Sequence, residues 1–315
     1  MPSVNTVLGT IDTSELGFTL MHEHILTSSA GIPTSFPELI DKEKAITSGV
    51  EKLREAHREG VQTYVDVTTM DLGRDIHILN EVARKSHVHI IAATGIWLDI
   101  PRFISRVTPD QLSRVFVREI EVGIEGTGIK AGVIKVATSE EGVTTANEIV
   151  LRAASRASMQ TGVPISTHTA ALAQVGNDQI AIFEDEGIDL TRVYIGHSND
   201  TANLEYLRGL AQKGCLLGMD HFPGGRMGGL GWEERVEVIM QLVETGFANK
   251  ISLSHDDTLG FFGSQEEATA RRLYNPDNIC FIGRKVIPRL RDLGVSDEDI
   301  RTITVEVPRR YFGGE

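Results

Sequence analysis

Eight short, mainly apolar runs recur along the chain, and longer amphipathic stretches separate them. The runs are Phe18–Met21, Val61–Val67, Val88–Ala93, Ala131–Val136, Val163–Thr167, Val193–Gly196, Cys215–Met219 and Ile251–Ser254. Strands buried on both faces read as continuous apolar runs rather than as alternating ones. Eight such strands separated by helices are typical of a closed parallel barrel, so the pattern predicts an α/β fold of the (β/α)8 TIM-barrel class.

The stretches between the runs show helical periodicity and predict helices. The clearest are Lys42–Glu59, Pro109–Glu125, Ala146–Thr161, Ala202–Lys213 and Trp232–Thr245. Two more are predicted near the end of the chain, over Arg284–Asp292 and after Ser296 as an N-cap, and we expect residues 281–312 to cover the last strand from outside. An open doubly wound sheet would usually carry a glycine-rich phosphate loop after its first strand. Here the first strand ends in His22-Glu23-His24 instead.

Composition narrows the class of protein. No linker or low-complexity tract divides the 315 residues, so we expect a single domain over residues 1–315. A formal net charge of −13 makes nucleic acid and anionic membrane surfaces poor partners. No apolar run approaches the roughly 20 residues of a membrane span, and the first residues do not resemble a signal peptide. The two cysteines fit a reducing compartment, which favours a cytoplasmic protein.

Polar residues stand where the predicted strands end, and that edge of a TIM barrel carries its active site. In a strand, residues i and i+2 point to the same face, so His22 and His24 can share a metal ion. Six of the ten histidines fall at such ends. The predicted metal donors are His22, His24, His168, His197 and Asp256. Imidazole and carboxylate suit zinc, with cobalt, manganese or iron as alternatives, and four histidines around one ion would exclude substrate, which favours two ions.

Lys135 lies between apolar neighbours on a predicted buried strand, where an unpaired charge is costly. One interpretation is that its side chain reaches the strand end and pairs with an acid. The other is that the neutral amine reacts with carbon dioxide to form a carbamate, whose two oxygens could bridge two cations. The sequence leaves both interpretations open.

Asp256 could bind metal and also accept a proton from a bridging hydroxide, and Asp200 with His221 could pass that proton to solvent. The alternatives are a helix N-cap for Asp200 and an ordinary loop position for His221. Glu23 and His255 are expected to point away from the barrel interior and to be structural.

Side chains on the strand-end loops are candidates for the substrate pocket. Trp97 is the strongest candidate for an aromatic wall, and Thr27 and Leu72 would narrow the space near the metals. The glycine-rich loop over residues 222–231 is short and is expected to be mobile and to leave the rim open. Further candidates for the pocket are Leu98, Phe222, Phe261 and Phe262. No basic cluster adjoins this rim in the sequence, so a neutral apolar ester is favoured over a strongly anionic substrate.

These motifs resemble, over essentially the whole chain, the phosphotriesterase family of the amidohydrolase superfamily. The matching segments are Leu20–His24, Asp71–Asp75, Ala93–Trp97, Gly132–Thr138, Thr167–Thr169, Gly196–Thr201, Gly218–His221 and Ser254–Asp256. The resemblance implies that His22, His24 and Asp256 hold a buried ion and that His168 and His197 hold an outer one. It further implies that Lys135, modified to N6-carboxylysine, bridges the ions together with a hydroxide, and that the barrel forms a homodimer.

The family contains organophosphate triesterases and lactonases, and this chain departs from both patterns. Trp97 and His221 resemble the triesterase branch, whereas the short loop after His221 does not. We expect a hydrolase of neutral esters, namely lactones and aryl esters such as dihydrocoumarin or an acyl-homoserine lactone, with promiscuous phosphotriester hydrolysis. The alternative is an aryldialkylphosphatase that acts mainly on organophosphates such as paraoxon. A mononuclear deaminase-type amidohydrolase and a non-catalytic, metal-stabilised barrel are lesser alternatives.

Overall fold

Nine strands form one continuous, all-parallel sheet in the computed structural model. The structure describes residues 2–225, 229–261 and 265–314, and at residues 261, 265 and 268 it describes only the backbone. The strands of the sheet are β3 (Phe18–Thr27), β4 (Val61–Asp66), β5 (His89–Ile96), β6 (Val133–Ala137), β7 (Ile165–His168), β8 (Val193–Ile195), β9 (Leu216–Met219), β10 (Ile251–Leu253) and β11 (Thr258–Phe261). A separate antiparallel hairpin, β1 (Ser3–Thr6) and β2 (Gly9–Asp12), precedes the sheet. All eight apolar runs of the sequence are strands, which confirms that prediction.

The two ends of the sheet meet at β3. Strands β3 to β10 follow one another in chain order, and β11 pairs with the free side of β3. Beyond the end of β10, the Asp256 amide donates to the His22 carbonyl at 3.1 Å, and the His24 amide donates to the Asp257 carbonyl at 3.0 Å. The sheet therefore closes on itself, as the predicted barrel requires.

Helices follow the strands and cover the outside of the barrel. They are α1 (Ile32–Ser35), α2 (Lys42–Arg58), α3 (Ile76–Ser86), α4 (Pro109–Glu121), α5 (Thr145–Thr161), α6 (Gly176–Glu186), α7 (Leu204–Gln212), α8 (Trp232–Glu244), α9 (Gln265–Tyr274), α10 (Ile287–Asp292), α11 (Asp297–Arg301) and α12 (Val307–Gly313). The five clearest predicted helices are present, each ending within a few residues of its expected bounds. Thr108 begins α4 with a reciprocal capping box to Gln111, and Pro109 occupies the first helical position, where its missing N–H costs nothing.

The end of the chain seals the side of the barrel opposite to the strand ends. Ser296 caps α11 through the Asp299 amide, as predicted, and π-helical turns over Ile282–Val286 and Thr302–Glu306 lead into α10 and α12. The second of these turns packs on β10 and β3. Val307, Tyr311 and Phe312 join the apolar cluster inside the barrel. No helix among the described residues combines the length and apolar character that a bilayer crossing needs.

Candidate metal centre

The strand pattern places the predicted donors on the inner face of the barrel. On β6, Val133 belongs to the inner apolar cluster and Ile134 to the outer one, so Lys135 points inward. Gly95 on β5 is aligned with Lys135, and a Cβ at Gly95 would lie 1.9 Å from the Lys135 carbonyl oxygen. Gly95 also has a φ of +110°, so only glycine fits there and lets β5 approach the lysine closely.

Four of the predicted donors converge at the ends of β3, β6 and β10. The Asp256 Oδ1 atom lies 3.0 Å from His24 Nε2 and 3.6 Å from His22 Nε2. Lys135 Nζ lies 2.9 Å from His22 Nε2. His22 and Lys135 are each about 1% exposed, so this part of the cluster is sealed from bulk water.

The remaining two donors complete the cluster on its open side. His168 Nδ1 lies 2.7 Å from His197 Nε2, and His197 Nε2 lies 3.9 Å from Asp256 Oδ2. One ligand atom each from His22, His197 and Asp256 falls within 4.8 Å of the others. The structure thus brings together the five predicted metal donors and Lys135.

The protonation states of the cluster suit metal binding. Burial, helped by the Lys135 charge, lowers the pKa of His22 to about 3, and burial beside His197 lowers the pKa of His168 well below its usual range. Burial would raise the pKa of Asp256, but its interaction with His22 and its hydrogen bonds to His221 and His24 outweigh that effect and hold the pKa well below its usual range. The imidazoles of His22 and His168 are therefore neutral and the Asp256 carboxylate is ionised, which are the forms that coordinate metals.

Burial also lowers the pKa of Lys135 to about 8. Among the described residues, the hydrogen bond of its side-chain nitrogen goes to His22 Nε2, and the charges of Asp256 and Asp220 also act on this nitrogen. A lysine with a lowered pKa has a substantial neutral fraction, which is the form that reacts with carbon dioxide. Four imidazoles, one carboxylate and this amine fit divalent ions held at imidazole-rich sites.

Asp220 is the functional residue that sequence reasoning missed. It is fully buried at the end of β9, with Oδ2 2.8 Å from His22 Nδ1 and Oδ1 3.0 Å from His197 Nδ1. The Tyr194 hydroxyl and the His197 amide also donate to its carboxylate. One carboxylate therefore orients a ring from each half of the donor cluster and fixes which nitrogen faces a metal.

Glu23 supports the backbone around Asp256. Its Oε1 accepts from the Ser254 hydroxyl and from the His255 amide, and its Oε2 accepts from the Asp257 amide. His255 Nδ1 also lies 2.7 Å from Glu23 Oε1. Asp256 itself has a φ of +51°, a conformation that non-glycine residues rarely adopt. Glu23 and His255 thus lie outside the donor cluster and hold Asp256 in its strained position.

A chain of side chains leads from Asp256 towards solvent. His221 Nε2 lies 3.0 Å from Asp256 Oδ2, and its Nδ1 lies 2.8 Å from Asp200 Oδ2. Burial alone would lower the pKa of His221, but its hydrogen bonds to Asp200 and Asp256 raise that pKa to about 10. Arg235 donates to Asp200 Oδ1 at 2.8 Å. Asn203 caps α7 in place of Asp200, so the N-cap interpretation of Asp200 is wrong.

A cavity of about 1750 Å³ opens from this cluster. Trp97, Leu72, Thr27 and Phe222 line it, whereas Leu98 is not among the described residues on its wall. The side chain of Phe261, together with Phe262 and part of the 222–231 loop, lies outside the described residues. The Trp97 ring meets the His168 ring edge to face at 5.8 Å, and the buried Asp71 carboxylate accepts from the Trp97 amide. The cavity wall thus contacts the donor cluster directly at Trp97.

The expectation that no basic cluster adjoins the rim is wrong. Lys44 and Lys52 on α2 and Arg271 and Arg272 on α9 all line the cavity. The two helices are more than 200 residues apart in the chain, and β11 brings them to the same rim.

Comparisons with known proteins agree with this geometry. A family model described as the phosphotriesterase family matches residues 2–312. A phosphotriesterase homology protein of Mycobacterium tuberculosis is 40% identical over 99% of this chain and 98% of its own length. An aryldialkylphosphatase of Saccharolobus solfataricus is 34% identical over 96% of each chain. An N-acetyltaurine hydrolase of Dictyostelium discoideum is 32% identical over 84% of this chain and 72% of its own.

Proposed function

The chain belongs to the phosphotriesterase family, and on that premise we propose that it is a binuclear metallohydrolase of lactones and aryl esters that also hydrolyses phosphotriesters more slowly. The observation that carries this proposal is the largely buried cluster of four imidazoles, one carboxylate and Lys135 on the wall of a wide cavity. The family is metal-dependent and its relatives are hydrolases, which agrees with the donor set.

His22, His24 and Asp256 would hold the buried ion, and His168 and His197 the outer one, with Lys135 as a carbamate between them. Zinc fits best because imidazole nitrogens predominate. When bound, the ions would supply Lewis acidity for the ester oxygen and lower the pKa of water at the site. Asp220 would keep His22 and His197 in the tautomer whose free nitrogen faces the ions.

Asp256, His221 and Asp200 would move the proton that hydrolysis releases. Because the pKa of His221 is raised to about 10, its ring carries a proton on both nitrogens, and it would first release the Nδ1 proton to Asp200, which lies 2.8 Å away. Asp256 Oδ2 would accept the proton of hydrolysis and hand it to the vacated His221 Nε2 at 3.0 Å, after the remaining ring proton has shifted to Nδ1 through exchange with water. Both His221 and Asp200 are partly exposed, so the proton can pass to water from the Asp200 end of this proton path.

The residues beside the donors favour a planar carbonyl substrate. The whole cavity is large enough for either a lactone or a phosphotriester, so its volume does not discriminate between them. We infer that Thr27 and Leu72, which line the cavity, narrow it near the donors, and that the Trp97 ring, which lies 5.8 Å from the His168 ring, stacks on a flat substrate group. A phosphotriester must fit three arms around phosphorus, whereas a lactone or an aryl ester presents one flat group.

Phosphotriester hydrolysis as the main activity is the second candidate, because a relative with 34% identity is named aryldialkylphosphatase. Amide hydrolysis is a further activity to test, because another relative is named N-acetyltaurine hydrolase. A panel on one metal-loaded preparation separates these activities: a homoserine lactone, dihydrocoumarin, an aryl acetate, paraoxon and N-acetyltaurine. The control is the same preparation after removal of metal with a chelator.

We expect kcat/KM to be higher for a lactone or the aryl ester than for paraoxon, and we expect the chelated enzyme to lose turnover of every substrate. If paraoxon exceeds the carbonyl esters about tenfold or more, the pocket argument from Thr27, Leu72 and Trp97 is wrong. If the amide is the best substrate, the proposed preference for esters is wrong.

A further inference from the structure

Asp71 is a buried carboxylate that takes no part in the donor cluster or in the proton path. It lies in a tight turn after β4 and is fully buried. Backbone hydrogen bonds close this turn. The Gly73 amide donates to the Met70 carbonyl at 3.1 Å, and the Arg74 amide donates to the Thr69 carbonyl at the same distance. Because a buried carboxylate is costly unless it accepts hydrogen bonds, the partners of Asp71 indicate what it stabilises.

The main partner of the Asp71 carboxylate is the backbone of Trp97. Both carboxylate oxygens lie 3.0 Å from the Trp97 amide nitrogen. Trp97 is the first residue after β5, and the alignment of β5 with β6 ends one residue earlier, at Ile96. The carboxylate therefore serves as the acceptor for an amide that has left the sheet. The Thr69 hydroxyl fixes this carboxylate in turn by donating to its Oδ1 at 2.6 Å.

The same turn is joined to the loop after β3. The Ala30 amide donates to the Asp71 carbonyl at 3.0 Å, and the Ser28 amide donates to the Leu72 carbonyl at 2.9 Å. Leu72 and Trp97 both line the cavity. The turn is thus held to one loop through its backbone and to the next through the Asp71 side chain. This arrangement fixes the position of Trp97 relative to Leu72.

We propose that Asp71 is a positioning residue for the substrate pocket: its carboxylate holds the Trp97 backbone, so that the indole ring stays beside His168 and favours substrates that carry an aromatic group. The two rings meet edge to face at 5.8 Å. Without the carboxylate the Trp97 peptide is free to rotate, and a ring that must be ordered on binding contributes less affinity. This inference rests on the proposed ester hydrolysis and adds to it a residue that determines specificity.

The motion of the Trp97 ring can be measured without turnover. The chain has two tryptophans, and Trp232 does not line the cavity, so Trp232→Phe leaves Trp97 as the single indole fluorophore. In this background, time-resolved fluorescence anisotropy reports how freely the ring moves on the nanosecond timescale. We expect the fast component of the anisotropy decay to increase in Asp71→Ala. In Asp71→Asn the increase should be smaller, because the amide oxygen still accepts from the Trp97 backbone.

Asp75→Ala is the matched control. Asp75 is a second buried carboxylate at the end of the same turn, but it caps α3 and lies 2.7 Å from Lys42 Nζ. Its loss removes the same chemical group from the same segment without removing the acceptor of the Trp97 amide. Circular dichroism checks that each variant is folded. If Asp71→Ala does not fold, Asp71→Asn carries the comparison.

Turnover tests the effect on specificity. The quantity to compare is kcat/KM for dihydrocoumarin divided by kcat/KM for an aliphatic homoserine lactone. We expect this ratio to fall in Asp71→Ala by up to about fivefold, which is the loss expected when the Trp97 contact itself is removed. Asp75→Ala should keep the wild-type ratio, and the metal content of Asp71→Ala should be unchanged. In a Trp97→Ala background, Asp71→Ala should not lower the ratio further, because the ring through which it acts is absent.

The two measurements separate this inference from the proposed function. If neither ester is hydrolysed but the Trp97 ring gains motion in Asp71→Ala and not in Asp75→Ala, ester hydrolysis is wrong and the positioning role of Asp71 stands. If the anisotropy decay of Asp71→Ala equals that of the parent protein, or if Asp75→Ala changes it equally, the positioning role is wrong. A further fall of the ratio in the double variant also contradicts it, because Asp71 would then act without Trp97.

Discussion

The donor cluster at the strand ends and the outer cavity wall are built in different ways, although they share one cavity. Three donors of the cluster have a further contact behind them: Asp220 holds His22 and His197, and Thr68 lies 2.8 Å from His24 Nδ1. The outer wall consists of loops and of α2 and α9, and Lys52 of α2 contacts the Leu259 carbonyl of β11. The comparison teaches that the barrel itself fixes the donor cluster, whereas elements outside it form the rest of the cavity wall, where they would contact the remainder of a substrate.

This difference predicts two kinds of variant. Changes in the donor cluster should lower the turnover of every substrate by a similar factor, because all substrates use the same reacting groups. Changes in the cavity wall should alter the ratio of kcat/KM between one substrate and another and should leave the metal content unchanged.

Asp256→Asn should have the largest effect. An amide is a weaker ligand and cannot accept the proton, so we expect kcat to fall on the order of 10³-fold or more with lactone, aryl ester and phosphotriester alike. His221→Ala removes only the next step of the proton path and should cost about 10–100-fold. Steady-state kinetics of both variants on the same substrates checks this order. If His221→Ala is as damaging as Asp256→Asn, His221 is part of the chemistry and not of a relay.

Asp220→Asn should have an intermediate effect that is again uniform across substrates. The amide would leave the rings of His22 and His197 without their common acceptor, and such changes typically cost about 10–100-fold in metal affinity or activity. Competition with a chromogenic chelator measures the affinity. Tyr194→Phe is the matched control, because it removes one donor to Asp220 and leaves the carboxylate in place. Unchanged metal affinity in Asp220→Asn would show that Asp220 only fills space.

Trp97→Ala should have the smallest effect on kcat/KM, and that effect should differ most between substrates. Loss of a stacked aromatic contact costs about 1 kcal/mol, so we expect kcat/KM to fall roughly fivefold for dihydrocoumarin. An aliphatic homoserine lactone should be affected less, and metal content should not change. A uniform loss across all substrates would place Trp97 with the donor cluster and would weaken the distinction between the two regions.

The sequence predicted the donor cluster because its residues lie directly at the ends of recognisable strands. His22 and His24, for example, share one face of β3, and this follows from the two-residue period of any strand. The role of Asp220 could not be derived in the same way. It is next to His221 in the chain, but its partner His22 is 198 residues away, and only the closed barrel brings them into contact.

The outer wall was predicted less well for a physical reason. The short strand β11 was not recognised from the sequence, and without it nothing indicates that Lys52 and Arg272 approach the same rim. Leu98 follows Trp97 in the chain but is not among the described residues of the wall. Loop side chains have no regular period, so their direction depends on contacts that sequence alone does not show.

The metal content of the purified protein and of Lys135→Ala is the most direct test of a binuclear centre with a bridging lysine. Plasma mass spectrometry on protein loaded with zinc and then freed of excess metal gives the number of ions per chain, and circular dichroism checks that the variant is folded. We expect two equivalents in the wild type and about one in Lys135→Ala, with most activity lost and partly restored by added short-chain carboxylates. One equivalent in the wild type, or two equivalents with full turnover in Lys135→Ala, would contradict the account.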